Sequence, residues 1–308
     1  QYSQLETRYR NNMVNLESLN GFQPPTLGLG RAMFFGLPES NSERLLFSAY
    51  RQYFESVHPA TSLPIKRGFK MSVLLGWNES EMVDAGHIFR NKSLKDFLFS
   101  DKLQLARSLN IKYYFSNKLI SDKNLKKFSF KKIILDNRIG MYLYEDLEAL
   151  PRVIAYGKIK VVDDYNRAFK LIKNNKVTIS KEALVEKNND NDNLKNINEI
   201  LEQNDLKIIS YAPTKIILNT NFSKDSFIVL SEINYPGWTV EVDGRKNTIY
   251  PSNIIGKGVF VAPGNHRIIF KYQPKYYFTG IIISIIGILS FLVYWFFASR
   301  KIIYSSKE

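Results

Sequence analysis

The chain has 308 residues, with 43 Lys and Arg against 29 Asp and Glu, for a net charge of +14. Hydrophobic residues at 44% and aromatics at 14% provide ample core material, which excludes global disorder and collagen-like repeats. With no Cys and three scattered His (His58, His87, His266), disulfides, thiolate catalysis and Cys-ligated metals are excluded, and no metal or cofactor is expected.

The chain opens on Gln1 with no Met, charged n-region or apolar h-region, so it reads as a piece of something longer. Residues 1–175 mix helix and strand signals and predict an α+β region. Ser40-Asn41-Ser42-Glu43 resembles a capping box, and Leu45, Leu46, Ala49, Tyr50, Tyr53 and Phe54 repeat at helical spacing until His58-Pro59. Asp101 to Asn110 reads as a helix and Ile111 to Phe115 as the strand after it. Lys131 to Leu135 and Ile139 to Tyr144 read as short strands around an Asp136-Asn137 turn, and Tyr165 to Lys173 is helical again. Residues 176–207 turn polar and Asn-rich, which predicts a linker with a short helix around Leu194 to Leu201.

From 208 to 274 the hydrophobic period becomes two. Short runs rich in Ile, Val, Thr, Phe and Tyr, separated by turn residues, predict an antiparallel β-sandwich. Asp243-Gly244 reads as a hairpin turn and Pro263-Gly264 as a type II turn. In the last strand His266, Ile268, Phe270 and Tyr272 share one face. Gln273-Pro274 then leads into Tyr276 to Ser299, 24 residues without a charge. As a helix this stretch is about 36 Å long against about 30 Å of hydrocarbon, so a transmembrane helix is expected over 275–300. Arg300, Lys301 and Lys307 place 301–308 as a cytoplasmic tail and the bulk of the chain outside the cytoplasm. Gly280, Ser284 and Gly287 lie on one helix face, where small residues allow packing against other membrane helices.

Tyr235-Pro236-Gly237-Trp238, Val242-Asp243-Gly244, Ala262-Pro263-Gly264-Asn265-His266 and Phe270-Lys271-Tyr272-Gln273-Pro274, with an apolar helix at once behind them, resemble the C-terminal end of the bacterial membrane protein YfhO family. Upstream, Gly21-Phe22-Gln23-Pro24 is similar to that family's Gly-Tyr-Asp-Pro element, with Phe22 and Gln23 in place of Tyr and Asp. Leu109-Asn110-Ile111-Lys112-Tyr113, Tyr144-Glu145-Asp146 and Ala149-Leu150-Pro151-Arg152 resemble further stretches of it. The resemblance implies a polytopic membrane protein similar to GT-C glycosyltransferases, which use polyprenyl-phosphate sugars. The chain would be its extracytoplasmic domain plus last helix, acting on cell-envelope polymers. The catalytic carboxylate of such enzymes lies in an early outer loop, so no catalytic residue is expected here.

Trp238 is a candidate for stacking on a sugar ring, or else a core residue opening a strand. Asp243 is a candidate saccharide contact, or else a hairpin turn residue. His266 reads as structural, and Asp190 and Asp192 lack the Gly and Glu of a calcium loop. Asn78, Asn91 and Asn221 head glycosylation-type triplets that an Asn-rich chain produces by chance. Lys118, Lys123, Lys126, Lys127, Lys131 and Lys132 fall within fifteen residues with Asp122 opposing them. They read as an anionic-surface contact for headgroups, a lipid-linked sugar phosphate or an envelope polymer, or else as a solvated lysine surface; nucleic acid is not expected. The expected partners are the bilayer, further membrane helices of the parent protein and such an anionic ligand. Two other readings stay open: a membrane-anchored carbohydrate- or polymer-binding module, and a structural envelope protein.

Overall fold

The computed structural model describes residues 31–35, 55–56, 74–75, 88–89, 93–133, 140–189, 194, 197–198, 201, 205–274 and 276–305. The first block contains β1 (Arg31–Phe35), β2 (Glu55–Ser56), β3 (Ile88–Phe89), α1 (Leu94–Leu98), α2 (Lys102–Ser108), β4 (Ile111–Ser116), α3 (Asp122–Lys127), β5 (Phe130–Ile133) and β6 (Tyr142–Asp146). The second contains β7 (Val153–Tyr156), β8 (Ile159–Val162), α4 (Tyr165–Lys173) and β9 (Ala183–Glu186). The third contains β10 (Leu206–Ala212), β11 (Lys215–Phe222), β12 (Ser226–Leu230), β13 (Trp238–Val242), β14 (Arg245–Asn247), β15 (Tyr250–Ser252), β16 (Gly256–Val261), β17 (Gly264–Tyr272) and α5 (Tyr277–Ser305).

These strands form three sheets. The first has the order β2-β1-β4-β6-β5, with β3 also pairing β1. Here β1 runs parallel to its three neighbours, and β6 is antiparallel to β4 and β5. The second has the order β7-β12-β16-β15-β9-β8, antiparallel except for β8 with β9. The third, β10-β11-β17-β13-β14, is antiparallel throughout.

Period-two patterning explains the third sheet. In β11, Ile216, Leu218, Thr220 and Phe222 are buried and alternate with more exposed residues, and in β17 Ile268 and Phe270 are fully buried. These side chains share one core with Val153, Ala155, Ile228, Leu230, Val259 and Val261 of the second sheet, the arrangement a sandwich requires. The opposite face of the second sheet, including Ile154, Tyr156, Phe227 and Val229, is buried in another cluster. Coverage on both faces is why β7, β9 and β12 are buried at every position and carry near-continuous apolar runs.

Several expected elements sit where periodicity places them: α4 spans Tyr165–Lys173, with Asp164 capping Arg167 N–H at 2.8 Å, and α2 and β4 cover the predicted helix–strand pair. The Asp243-Gly244 hairpin has both residues at positive φ (51° and 76°), as a type I′ turn demands. Pro263-Gly264 carries the chain from β16 in the second sheet to β17 in the third. Segment 176–207 contains the buried β9, and the second sheet takes strands from both sides of that segment, so the linker is not a boundary between sheets. Of the expected helix over 40–58 only Glu55–Ser56 is described, and it is strand β2 rather than helix, because it pairs with β1; the rest of that helix, the Asp136-Asn137 turn and most of the short helix near 194–201 lie outside the described residues.

The final helix α5 follows β17 after a few residues, as expected. Its described side chains form an unbroken run only from Thr279 to Trp295, about 26 Å of helix against about 30 Å of hydrocarbon. Among the described residues, no helix is long and apolar enough to cross a membrane. The crossing expected over 275–300 is therefore not a feature of the described structure and is taken up below as a proposal.

Candidate functional site

The root of α5 is built from three strand ends of the third sheet. Trp238, opening β13, pairs with Tyr272, closing β17. Tyr272 N–H donates to Thr214 O at 2.8 Å, and Gln273 N–H donates to Gly237 O at 2.7 Å. Gly237 has φ +108°, and a Cβ there would lie 3.0 Å from the Tyr272 ring and 3.3 Å from Pro274 Cα. Glycine is required on both counts. The rings of Tyr235 and Trp238 lie 6.4 Å and 5.5 Å from Tyr272, forming an aromatic cluster against the strand–helix junction.

A buried charge cluster lies behind these rings. Lys257 is fully buried on β16, with its Nζ 3.7 Å from the centroid of the Trp238 ring and donating to Ile233 O at 3.1 Å. Burial pushes its ammonium down to about 7, with nearby Glu232 opposing the shift and Arg31 adding to it. Glu232 accepts from Arg152 Nη1 at 3.1 Å, lies 3.7 Å from Arg31 Nη2 and accepts from the Tyr211 hydroxyl. Arg31, on β1 of the first sheet, donates to Leu109 O (2.9 Å), to Ser231 Oγ (3.1 Å) and to Ser231 O. Ser231 N–H in turn donates to Arg152 O at 2.9 Å. Strand ends of all three sheets are thereby tied together at one edge of the molecule.

This arrangement locks the sheets electrostatically, and the enclosed Lys257 amine has no surface on which to meet a substrate. The amine instead has a pH signature. Its folded value, near 7, lies below the ordinary 10.5, so between these values the unfolded chain binds the extra proton and stability rises with pH. Urea unfolding at several pH values should show this gain of a few kcal/mol across the window. In Lys257→Met the same series should lose most of that slope and be more stable near pH 7, because a buried ammonium is replaced by an apolar chain.

The sequence-predicted residues separate. Trp238 is half-buried at the helix root, whereas Asp243 lies just past the opposite end of β13, roughly 17 Å away at strand rise. They do not form one site. Asp243 accepts from Arg267 N–H at 2.8 Å and from His266 Nδ1 at 2.6 Å, and the Arg267 bond, then His266, holds its carboxyl below the usual range. His266 is raised by Asp243, and its Nε2 contacts Pro263 O at 3.2 Å, so both ring nitrogens face acceptor oxygens.

The basic stretch also divides. Lys123, Lys126, Lys127, Lys131 and Lys132 are all exposed. Lys127 Nζ sits 4.6 Å from the Phe99 ring centroid and 5.3 Å from that of Phe128, and those two rings meet edge to face at 4.8 Å. Lys132 instead covers Tyr142 at 5.1 Å, further along β5. On α5, a Cβ at Gly280 or Gly287 would meet nothing within 4 Å, and Ser284 Oγ donates back to Gly280 O at 2.9 Å. That face has no packing partner among the described residues.

Sequence reasoning missed Arg31, Arg107, Asp146, Glu232 and Lys257. One signal was available for Lys257, a lone charge between Gly256 and Gly258 in an apolar strand. Along α2, from Asp101 to Ser108, a cleft of about 420 Å³ opens towards α4, with Phe169, Lys173 and Asn175 also in its lining. Among the described residues, no three His, Asp or Glu side chains gather to hold a metal.

The family model of the bacterial membrane protein YfhO matches residues 110–284, more than half of the chain. The chain belongs to the YfhO family. The YfhO match begins at Asn110, the turn residue just before β4, and ends in the early turns of α5. It takes in the α3 surface, the third sheet, the aromatic root and Lys257, and family membership associates the chain with a membrane. No curated protein and no solved structure matches the chain.

Proposed function

We propose that this YfhO-family chain is the extracytoplasmic accessory region of a polytopic, glycosyltransferase-like membrane protein. In this reading it shapes access of a cell-envelope polymer to a polyprenyl-phosphate sugar donor and performs no chemistry itself. The observation that carries the reading is the junction of β17 with α5: the sheet enters the helix through Gln273-Pro274, pinned to Gly237 and stacked with Tyr235 and Trp238. A rigid junction of this kind holds the sheets at a fixed height over whatever surrounds the helix.

The helix supports a bilayer setting. Its side chains from Ile281 to Trp295 are exposed, with Ile283 at 65% and Phe291 at 64%, and its backbone continues to Ser305. Over the 24 uncharged residues from Tyr276 to Ser299 it would cross the hydrocarbon, with Tyr276 and Tyr277 at one interface and the tail from 301 in the cytoplasm. The Gly280/Ser284/Gly287 face would then meet other membrane helices. Trp238 would edge the acceptor path at the outer surface.

Given a polyprenyl-phosphate sugar and an envelope polymer, the isolated chain should transfer no sugar. In the whole membrane protein, Trp238→Ala should lower transfer several-fold without abolishing it. Transfer by the isolated chain would contradict the accessory role.

A further inference from the structure

Around α3, the structure separates basic residues near the root of α5 from basic residues far from it. The first sheet has a near edge and a far edge relative to that root. Arg31 at the start of β1 bonds Ser231 and Leu109 O, and Ser231 leads through Glu232 and Ile233 to Lys257 and Trp238. On the same edge Arg107 donates to Phe128 O at 2.6 Å and pairs with Asp146, the last residue of β6. Phe128 is the C-cap of α3, and Leu147 N–H donates to Ser129 O at 3.0 Å. The C-terminal end of α3, Phe99, Leu147 and the α5 root therefore share one edge. Lys118 and Leu119, past the far end of β4, and Lys132, next to the end of β5, lie towards the other.

The near-edge surface has the composition of a peripheral bilayer contact. Phe99 and Leu147 are 53% and 61% exposed, among exposed Lys126, Lys127 and Lys131. The carboxylates beside them are engaged elsewhere: Asp146 and Glu148 with Arg107, and Glu145 with Lys112. Asp122 stands at the opposite end of α3. Lysines alone would suit any polyanion, but large apolar side chains standing out among them suit an interface that offers acyl chains beneath anionic headgroups.

We propose that this face, Phe99 and Leu147 with Lys126, Lys127 and Lys131, docks on the anionic outer leaflet beside α5 as a second contact with the bilayer. The inference rests on the membrane reading of α5. Two contacts at one edge fix the tilt of the sheets over the membrane, where a lone helix tilting in the bilayer would carry the sheets with it.

Because the chain lacks Cys, single cysteines can carry an environment-sensitive fluorophore: Leu147→Cys on the face, Leu119→Cys at the far edge and Ile283→Cys in the helix. The full chain is reconstituted in vesicles of phosphatidylglycerol with phosphatidylcholine that contain spin-labelled lipid. The label at 147 should be quenched and the label at 119 should not. Combined Lys126→Gln, Lys127→Gln and Lys131→Gln, or vesicles of phosphatidylcholine alone, should lower the docked-to-undocked ratio at 147 by at least about tenfold. A label at 147 that stays in water while the label at 283 is quenched overturns this inference and leaves the membrane reading of α5 standing. A label at 283 that stays in water overturns the membrane reading itself. If soluble polyphosphate shields the label at 147 from aqueous iodide and lipid does not quench it, the face is a polymer site and the inference fails.

Discussion

Asp146→Ala is expected to destabilise the fold by about 3–5 kcal/mol, read as a lower denaturant midpoint in equilibrium unfolding. Asp146 is buried at the end of β6 and holds Arg107 through Nε at 2.8 Å and Nη2 at 3.1 Å. Its Oδ1 also accepts from Glu148 N–H at 3.0 Å, which shapes the turn leading to Arg152. Removing the carboxylate strands a guanidinium that is only 6% exposed beside the α3 C-cap. Glu148→Ala also removes a partner of Arg107, but that carboxylate is 55% exposed, so its loss should cost about 1 kcal/mol or less. Comparable effects from the two substitutions would mean that the buried pair does not organise this edge.

The second large effect lies at Gly258. A Cβ there would sit 2.3 Å from Phe227 Cζ, 2.4 Å from Phe227 Cε1 and 2.8 Å from Ser252 Oγ. Phe227 is fully buried and packed edge to face on Phe260 at 4.7 Å, so the ring has nowhere to go unless β12 and β16 part. Gly258→Ala should therefore cost about 3 kcal/mol, the upper part of the range for overpacking a core, again by denaturant unfolding. The same methyl at Gly244 would meet nothing within 4 Å, and its cost there comes from the φ of +76° alone, about 1 kcal/mol.

Much of the fold could be read from local pattern. The period-two runs after 208 map onto β10 to β17 almost run for run, because strands with one face on a core must alternate, and Ile268 and Phe270 do. The helix at Tyr165–Lys173 announced itself through its apolar spacing, and the structure adds the Asp164 cap. Partnership between distant strands was not legible. Nothing in Val153–Tyr156 says that it pairs with Ser226–Leu230, so a sheet drawing on both halves of the chain appeared as two regions joined by a linker. The candidate site was legible only in part. Trp238 belongs to a quoted motif, but its neighbour Lys257 comes from another sheet, and Glu232 gathers Arg31 and Arg152 from chain positions far away. Buried charges are chosen by three-dimensional neighbours, and single-sequence periodicity carries no record of them. The lysines looked alike in sequence; their places along α3 and β5 put Lys126, Lys127 and Lys131 towards the near edge and Lys132 further from it.

In the proposed function α5 leaves the sheets directly for a bilayer. This is tested by single cysteines placed one at a time from Tyr277 to Ser299, with Gln273→Cys as reference, in the chain reconstituted in sealed vesicles and treated with a membrane-impermeant maleimide. Labelling at 273 with continuous protection from about Ile281 to Trp295, on every face of the helix, is the predicted result. Labelling of one face at helical spacing, or of every position alike, would contradict it.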